Sequence, residues 1–204
     1  MFLADGDALV LPTDDLAAIL DALATHFAGL DRVSCYATPI NLNQKSPEDL
    51  KRLREKGLTL LYVGVESGSA DILARIRKGA NPDKIASALD RAHDAGIAVS
   101  ATVILGLGGR RLWREHIEGT AALVDRAPPN FLSTLQLRLA SDEVDAFVAR
   151  FERDGTAFEP QDDAGILDEQ HLLLATVNPP RPGVFRSNHA SNCLPPPARA
   201  ATGA

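Results

Sequence analysis

Cysteine is scarce in this chain: there are two in 204 residues, Cys35 and Cys193. They lie far apart and belong to no Cys-x2-Cys or other metal-ligand spacing, so no disulfide scaffold and no local metal site is expected from them. A reducing compartment is the expected setting, and the cytoplasm the expected location. Also missing is any apolar run near the ~18 residues of a membrane span. Met1-Phe2-Leu3-Ala4-Asp5 brings an acid at once and no basic stretch, so a signal peptide is not expected. Positive charge is not in excess either. The net charge is −6, so a nucleic acid held mainly by charge is not an expected partner. What is present is ordinary for a globular protein: 45% apolar and 24% charged residues, which excludes a disordered chain or a collagen-like fibre. A chain of this length buries enough apolar surface to fold as one domain without staples.

Strand and helix patterns alternate from the first residues. Phe2-Leu3-Ala4 reads as a strand and Asp5-Gly6-Asp7 as a turn. Thr13 is placed to cap a helix with Asp14 and Asp15 in its first turn, where the helix dipole favours anions. Val33 to Ala37 is a second strand, and Ser46-Pro47-Glu48-Asp49 opens a helix that ends at Gly57. Leu58 to Val65 and Ile97 to Leu105 are apolar runs suited to strands buried on both faces of a parallel sheet. Between them lie helices from Ala70 to Lys78 and from Asn81-Pro82 to Gly96. A loop, Gly106-Leu107-Gly108-Gly109, precedes a helix over Leu112 to Arg126; a fifth strand, Phe131 to Leu139, precedes a helix over Asp142 to Arg153. Ile166 to Ala175 reads as a further helix and Val184-Phe185-Arg186 as a short strand.

Five strand–helix units in series predict an α/β fold with a parallel sheet, either an open sheet or a (β/α) barrel. Functional residues are expected at the C-terminal strand ends. Those ends carry Asp5-Gly6-Asp7, Tyr36, Glu66-Ser67-Gly68, Gly106 to Gly109 and Arg138. Glycines there let backbone groups approach a flat or anionic ligand, and Glu66 is placed to accept hydrogen bonds from sugar hydroxyls or an amino group. A nucleoside site accounts for the set; tight turns, with Glu66 as a helix N-cap, account for it as well.

The wording of these segments is more specific. Phe2 to Asp7 occupies the place of the Gly-Gly-Glu-Pro strand end of radical S-adenosylmethionine (radical SAM) enzymes. Tyr62-Val63-Gly64-Val65-Glu66-Ser67-Gly68 resembles that family's fourth-strand signature. Ile76-Arg77-Lys78-Gly79 is similar to the methylthiotransferase, elongator-like and oxygen-independent coproporphyrinogen oxidase subgroup. Ala95-Gly96-Ile97, leading to Val103 through Gly109, resembles the fifth-strand Gly-x-Ile-x-Gly-x-x-Glu pattern, and Phe185 to Asn192 resembles a closing motif. The resemblance spans Phe2 to Leu139 and implies a partial parallel (β/α) barrel, about strands 2 to 6 of a radical SAM barrel with helices outside. Residues 1–155 would form that barrel, 156–194 a helix and closing segment, and 195–204 a disordered tail.

The resemblance further implies S-adenosylmethionine and a 4Fe–4S cluster as cofactors. Relatives cleave S-adenosylmethionine reductively at that cluster to start radical chemistry on a substrate, here an unknown small molecule. By the same resemblance Asp5, Gly6 and Asp7 would meet the methionine amino group, and Ser34 and Tyr36 would line the floor. Glu66 and Ser67 would approach the ribose or carboxylate, Ile104 and Gly106 would flank the adenine, and Arg138 would face the methionine carboxylate or the substrate. Asn188, His189 and Asn192 are candidate substrate contacts, with a plain loop the competing reading.

The family's Cys-x3-Cys-x2-Cys is not in this sequence, where Cys35 reads as a small core residue. The cluster is therefore not expected on this chain alone, and no activity is expected without it. Two further readings stay open: a non-catalytic nucleoside-binding remnant or subunit, paired with a separate chain that supplies a first strand and the cysteines, and an unrelated phosphate-binding (β/α) enzyme using Gly106 to Gly109. A missing first strand would leave Phe2 to Ala4 as an unpaired edge and forfeit ~1.5–3 kcal/mol for each lost core residue. The expected product is marginal or aggregation-prone; a sharp two-state melt of a soluble monomer at high temperature, followed by circular dichroism, overturns that expectation.

Overall fold

The computed structural model describes residues 1–152 and 157–193. The expected tail at 195–204 and the expected boundary at 155 lie outside the described residues. The strands are β1 (Phe2–Asp7), β2 (Val33–Ala37), β3 (Leu58–Glu66), β4 (Ala98–Leu105), β5 (Phe131–Gln136) and β6 (Val184–Arg186). They form one six-stranded sheet in sequence order, every neighbouring pair parallel. Among the described residues β1 and β6 do not meet, so the expected partial (β/α) barrel is what forms. The short Val184–Arg186 segment adds a sixth strand to the five expected units by pairing with β5.

The helices are α1 (Thr13–His26), α2 (Pro39–Gln44), α3 (Pro47–Glu55), α4 (Ala70–Arg75), α5 (Pro82–Asp94), α6 (Gly109–Arg126), α7 (Val144–Phe151) and α8 (Asp163–Thr176). Three of them start with a capping residue followed by proline. Ser46 Oγ accepts the Asp49 N–H at 3.0 Å while the Asp49 carboxylate accepts the Ser46 N–H at 3.3 Å. Asn81 Oδ1 accepts the Lys84 N–H at 2.9 Å. Thr38 Oγ1 accepts the Asn41 N–H at 3.2 Å, ahead of a helix that the apolar periodicity was too short to signal. Thr13 is not the cap of α1: Pro12 holds the N-cap position and Thr13 is the first helical residue. None of the described helices is long and apolar enough to cross a membrane.

The expectation that β3 and β4 are buried on both faces is corrected. Their outer face, Leu61, Val63, Val65, Val99, Ala101, Val103 and Leu105, is buried against the helices. Their inner face, with Tyr62, Gly64, Glu66, Thr102 and Ile104, is half-buried, because the inner side of an open barrel is a cleft and not a packed lumen. Asp5-Gly6-Asp7 is also not a turn after the strand: β1 runs to Asp7 through a register shift between Leu3 and Asp7, with Gly6 at φ +86°. Only glycine takes that conformation without steric cost.

Two helix ends differ as well. The helix after the glycine loop starts at Gly109, not Leu112. The helix from Ala70 ends at Arg75, not Lys78, and Arg77 takes φ +57°. The Lys78 N–H then returns to the Leu73 carbonyl at 3.0 Å. Arg77-Lys78, expected at the end of that helix, thus becomes a reversal that swings Lys78 towards the sheet.

Candidate functional site

A cleft of about 850 Å³ lies on the concave side of the sheet at the C-terminal strand ends, within the size range of small-molecule sites. All six strands contribute. Gly6 and Asp7 come from β1, Tyr36 from β2 and Tyr62, Gly64 and Glu66 from β3. Ser100, Thr102 and Ile104 come from β4, Ser133 and Leu135 from β5, and Arg186, Asn188 and His189 from β6 and the segment after it. Strand alternation places these residues: in parallel register Tyr36, Tyr62 and Ser100 form one row, and Gly64, Thr102, Ser133 and Arg186 the next.

Glu66 is the most constrained residue of the cleft. Its φ is +65°, and the Ser67 N–H closes a tight turn around it onto the Val65 carbonyl at 2.8 Å. A non-glycine residue in that conformation stores strain, a feature that clusters at functional sites. Its carboxylate accepts from Lys78 Nζ at 2.9 Å, and the two side chains are 20% and 17% exposed. A Cβ on Gly64 would sit 2.2 Å from Glu66 Oε1, so the absence of a side chain at Gly64 is what lets the carboxylate fold over β3.

The turn is held from behind. The Gly68 N–H donates to Thr120 Oγ1 at 2.9 Å, and the Ser67 hydroxyl meets His116 Nδ1 at 2.8 Å. His116 Nε2 is 2.9 Å from the Ile104 carbonyl, an acceptor only, so Nε2 carries the proton and the Ser67 hydroxyl donates to Nδ1. His116 is fully buried, and burial pushes its pKa down to about 4. This chain of bonds ties β3, β4 and α6 together directly behind Glu66 and Ile104.

Other expected site residues are placed differently. Ser67 is fully buried and does not reach the cleft. Ser34 lies near the N-terminal end of β2 and is buried beside the Met1 carbonyl. Asp7 lines the cleft, but its carboxylate already accepts N–H groups from Leu9 (2.9 Å), Thr38 (2.7 Å) and Asn41 Nδ2 (2.7 Å). Asp5 lies in β1. Gly6, Tyr36, Glu66 and Ile104 are in the cleft as expected.

The glycine loop is closed from the inside. The Gly106 N–H donates to Glu169 Oε2 at 2.7 Å, the Gly109 N–H to the Gly106 carbonyl at 3.1 Å and the Arg110 N–H to the Glu159 carbonyl at 2.8 Å. Gly106 is therefore packed under α8 and its N–H is not open to an adenine, and in the phosphate cradle expected of Gly106 to Gly109 the first and last N–H groups are already engaged. Glu169 is fully buried, and burial pushes its pKa up to about 7.

Arg138 does not face a ligand carboxylate either. Its guanidinium donates to the Ser191 carbonyl at 3.0 and 3.2 Å. Asn192 is a latch: Nδ2 donates to the Thr134 carbonyl at 2.9 Å and Oδ1 accepts the Gln136 N–H at 2.9 Å. These bonds hold the closing segment so that Asn188 and His189 reach the cleft. The His189 Nδ1 accepts the Ser191 N–H at 3.1 Å.

The residues present do not fit an iron–sulfur cluster. Cys35 is fully buried, and burial together with the nearby Asp7 charge pushes its thiol up to about 12. Cys193 Sγ lies 3.9 Å from the Asp163 carbonyl in the closing segment. No group of three or more His, Cys, Asp or Glu among the described residues is arranged to hold a metal ion. The donor set of the cleft fits a nucleoside better: two tyrosines, hydroxyls of Ser100, Thr102 and Ser133, and the Glu66–Lys78 pair.

Comparison with known proteins adds an independent line. The family described as the radical SAM superfamily matches residues 1–124. The heme chaperone HemW of Bacillus subtilis (strain 168) is 27% identical over 127 residues, which is 61% of this chain and 34% of that protein. The fold resembles that of coproporphyrinogen III oxidase (HemN) from Escherichia coli, with a TM-score of 0.65 and 20% identity over 85% of this chain and 39% of that one. Elp3 of Methanocaldococcus infernus gives a TM-score of 0.65 and 13% identity, over 91% of this chain and 46% of that one. The chain thus spans well under two thirds of the length of each of these relatives.

Proposed function

This chain belongs to the radical SAM superfamily, and from that premise we propose that its cleft binds S-adenosylmethionine. The observation that carries the proposal is the strained Glu66, folded over Gly64 and paired with Lys78 at the mouth of a cleft that all six strands build. In this reading the Glu66 carboxylate accepts hydrogen bonds from the ribose hydroxyls or the ligand's ammonium group. Lys78, released from Glu66, pairs with the methionine carboxylate. Tyr36 and Tyr62 offer their faces to the adenine or the sulfonium, for which aromatic rings are suited. Ile104 closes the apolar side.

In the superfamily a 4Fe–4S cluster supplies the electron that cleaves S-adenosylmethionine. The thiols of this chain do not fit that cluster, so we assign no step of it to these residues. The cluster ligands would come from outside this sequence, in the same polypeptide or a separate chain. This chain by itself is then a ligand-binding half-site without catalytic activity.

Titration calorimetry with S-adenosylmethionine is the test. The wild-type chain gives a saturable isotherm, and Glu66→Gln weakens it by about 10- to 100-fold, as expected for hydrogen bonds to a charged acceptor. Absence of saturable binding, or equal binding by the variant, overturns the assignment. In parallel, anaerobic reconstitution with iron and sulfide is expected to leave the chain without the thiolate-to-iron absorbance band; a stoichiometric cluster overturns the half-site reading.

A further inference from the structure

The cleft is electrically lopsided. At its β3 end the two charges of Glu66 and Lys78 neutralise each other at 2.9 Å. At its β6 end stands Arg186, which lines the cleft, is exposed, and makes no ion pair among the described residues. Its guanidinium carbon lies 4.2 Å from the centre of the Phe131 ring. Stacking on a ring fixes the plane of a guanidinium and covers one face while leaving its N–H edge free, the geometry that receives an oxyanion through two parallel hydrogen bonds.

The sheet sets what lies around it. Gly64, Thr102, Ser133 and Arg186 are successive partners across four strands. Three strand spacings separate the Glu66–Lys78 end of this row from the Arg186 end, about 14 Å. Ser133 is the register partner of Arg186, and Asn188 and His189, two and three residues further along the chain, also line the cleft. A hydroxyl, a carboxamide and an imidazole thus stand beside an unneutralised cation. A cleft of about 850 Å³ lies in the upper part of the range for small-molecule pockets, about 300–1,000 Å³, so it is not filled from one end.

We propose that the β6 end of the cleft is a second subsite, which holds a carboxylate or phosphate group of the substrate on Arg186, with Ser133, Asn188 and His189 as hydrogen-bonding partners. The substrate class is a small organic anion. The proposal rests on the nucleoside reading only in assigning the β3 end to another ligand; the anion subsite itself does not require it.

The experiment uses glutarate and inorganic phosphate as probes, followed by the Arg Nε–H resonances in NMR and by calorimetry, on the wild-type chain, Arg186→Gln and Arg186→Lys. S-adenosylmethionine is titrated into each protein separately. In the wild type at least one probe shifts an Arg Nε–H signal that is absent from both variants. Arg186→Gln weakens that probe about 10-fold or more, and Arg186→Lys restores part of the affinity but not the two-bond geometry. Glutarate alone points to a carboxylate substrate, and phosphate alone to a phosphorylated one. The proposal falls if neither probe shifts the Arg186 signal, a readout that needs only the wild-type fold. It also falls if Arg186→Gln binds the probe as the wild type does, or if the variant loses S-adenosylmethionine to the same extent, which would merge the two ends into one site. Anion binding without S-adenosylmethionine binding would remove the nucleoside reading and leave this one standing.

Discussion

Gly68→Ala lowers the melting temperature by roughly 6–12 °C, the equivalent of about 3 kcal/mol or more in a chain of this size. The reason is a backbone crossing. A Cβ at Gly68 would lie 2.1 Å from the Gly119 carbonyl oxygen, 2.3 Å from its carbon and 2.5 Å from the Thr120 nitrogen. These are backbone atoms in the middle of α6, so no side chain can rotate away. To accept a methyl group, α6 has to move off the turn after β3, which breaks the Gly68 N–H bond to Thr120 and loosens the Ser67–His116 contact. Gly29→Ala is the control. Gly29 has φ +78°, but a Cβ there meets nothing within 4 Å. It costs only the positive-φ penalty, about 1 kcal/mol. Thermal melts of the two variants should differ severalfold in their shifts; equal shifts would refute the crossing as the cause.

The second large effect is a pair of opposed pH dependences. His116 is buried and neutral, with its pKa pushed down from 6.5 to about 4. Its contribution to stability is fully present above pH 6.5 and is lost as the pH falls to about 4. Glu169 is buried with its pKa pushed up from 4.5 to about 7. Its contribution is fully present below pH 4.5 and is lost as the pH rises to about 7. Each is worth about 3 kcal/mol across its window. Between pH 4.5 and 6.5 the two slopes cancel, so together they add little pH dependence there. Glu169→Gln keeps an acceptor for the Gly106 N–H and exposes the histidine slope: stability should fall steadily on acidification. His116→Gln exposes the opposite slope, with stability falling as the pH rises. The partly buried His93, whose pKa burial also lowers, contributes equally to all three proteins and drops out of the comparison. Denaturant melts at a series of pH values read the slopes; parallel curves for all three proteins would show that neither group titrates in the folded state as described.

Much of the architecture was legible in the chain. The alternation of apolar runs with capped amphipathic segments specifies a parallel sheet in sequence order, because each βα unit carries its own start and stop signals. Ser46-Pro47 and Asn81-Pro82 mark helix starts that form where expected. Thr38-Pro39 carries the same signal, and recognising it would have found α2. Tyr62 and Thr102 were also within reach: Tyr62 stands four residues before Glu66, and Thr102 two before Ile104, on the same strand faces. Glu66, Tyr36, Gly6 and Ile104 line one cleft because the C-terminal ends of parallel strands share one side of the sheet.

What the sequence by itself determined is therefore the series of elements, the side of the sheet on which the cleft lies and, through its ordered motifs, the superfamily. Its two distant cysteines also carry the result that this chain's thiols do not fit a cluster. Only the tertiary structure decided which polar groups face the cleft and which are consumed internally. Ser67, Gly106, Arg138 and Asn192 carry ligand-like chemistry, yet their partners are His116, Glu169, Ser191 and Thr134, each far away in the chain. Lys78 and Arg186 enter the cleft because a positive φ at Arg77 reverses one helix end and a three-residue strand pairs at the sheet edge. Hydrogen-bond satisfaction and charge pairing depend on distance in space, and local sequence patterns report only on neighbours along the chain.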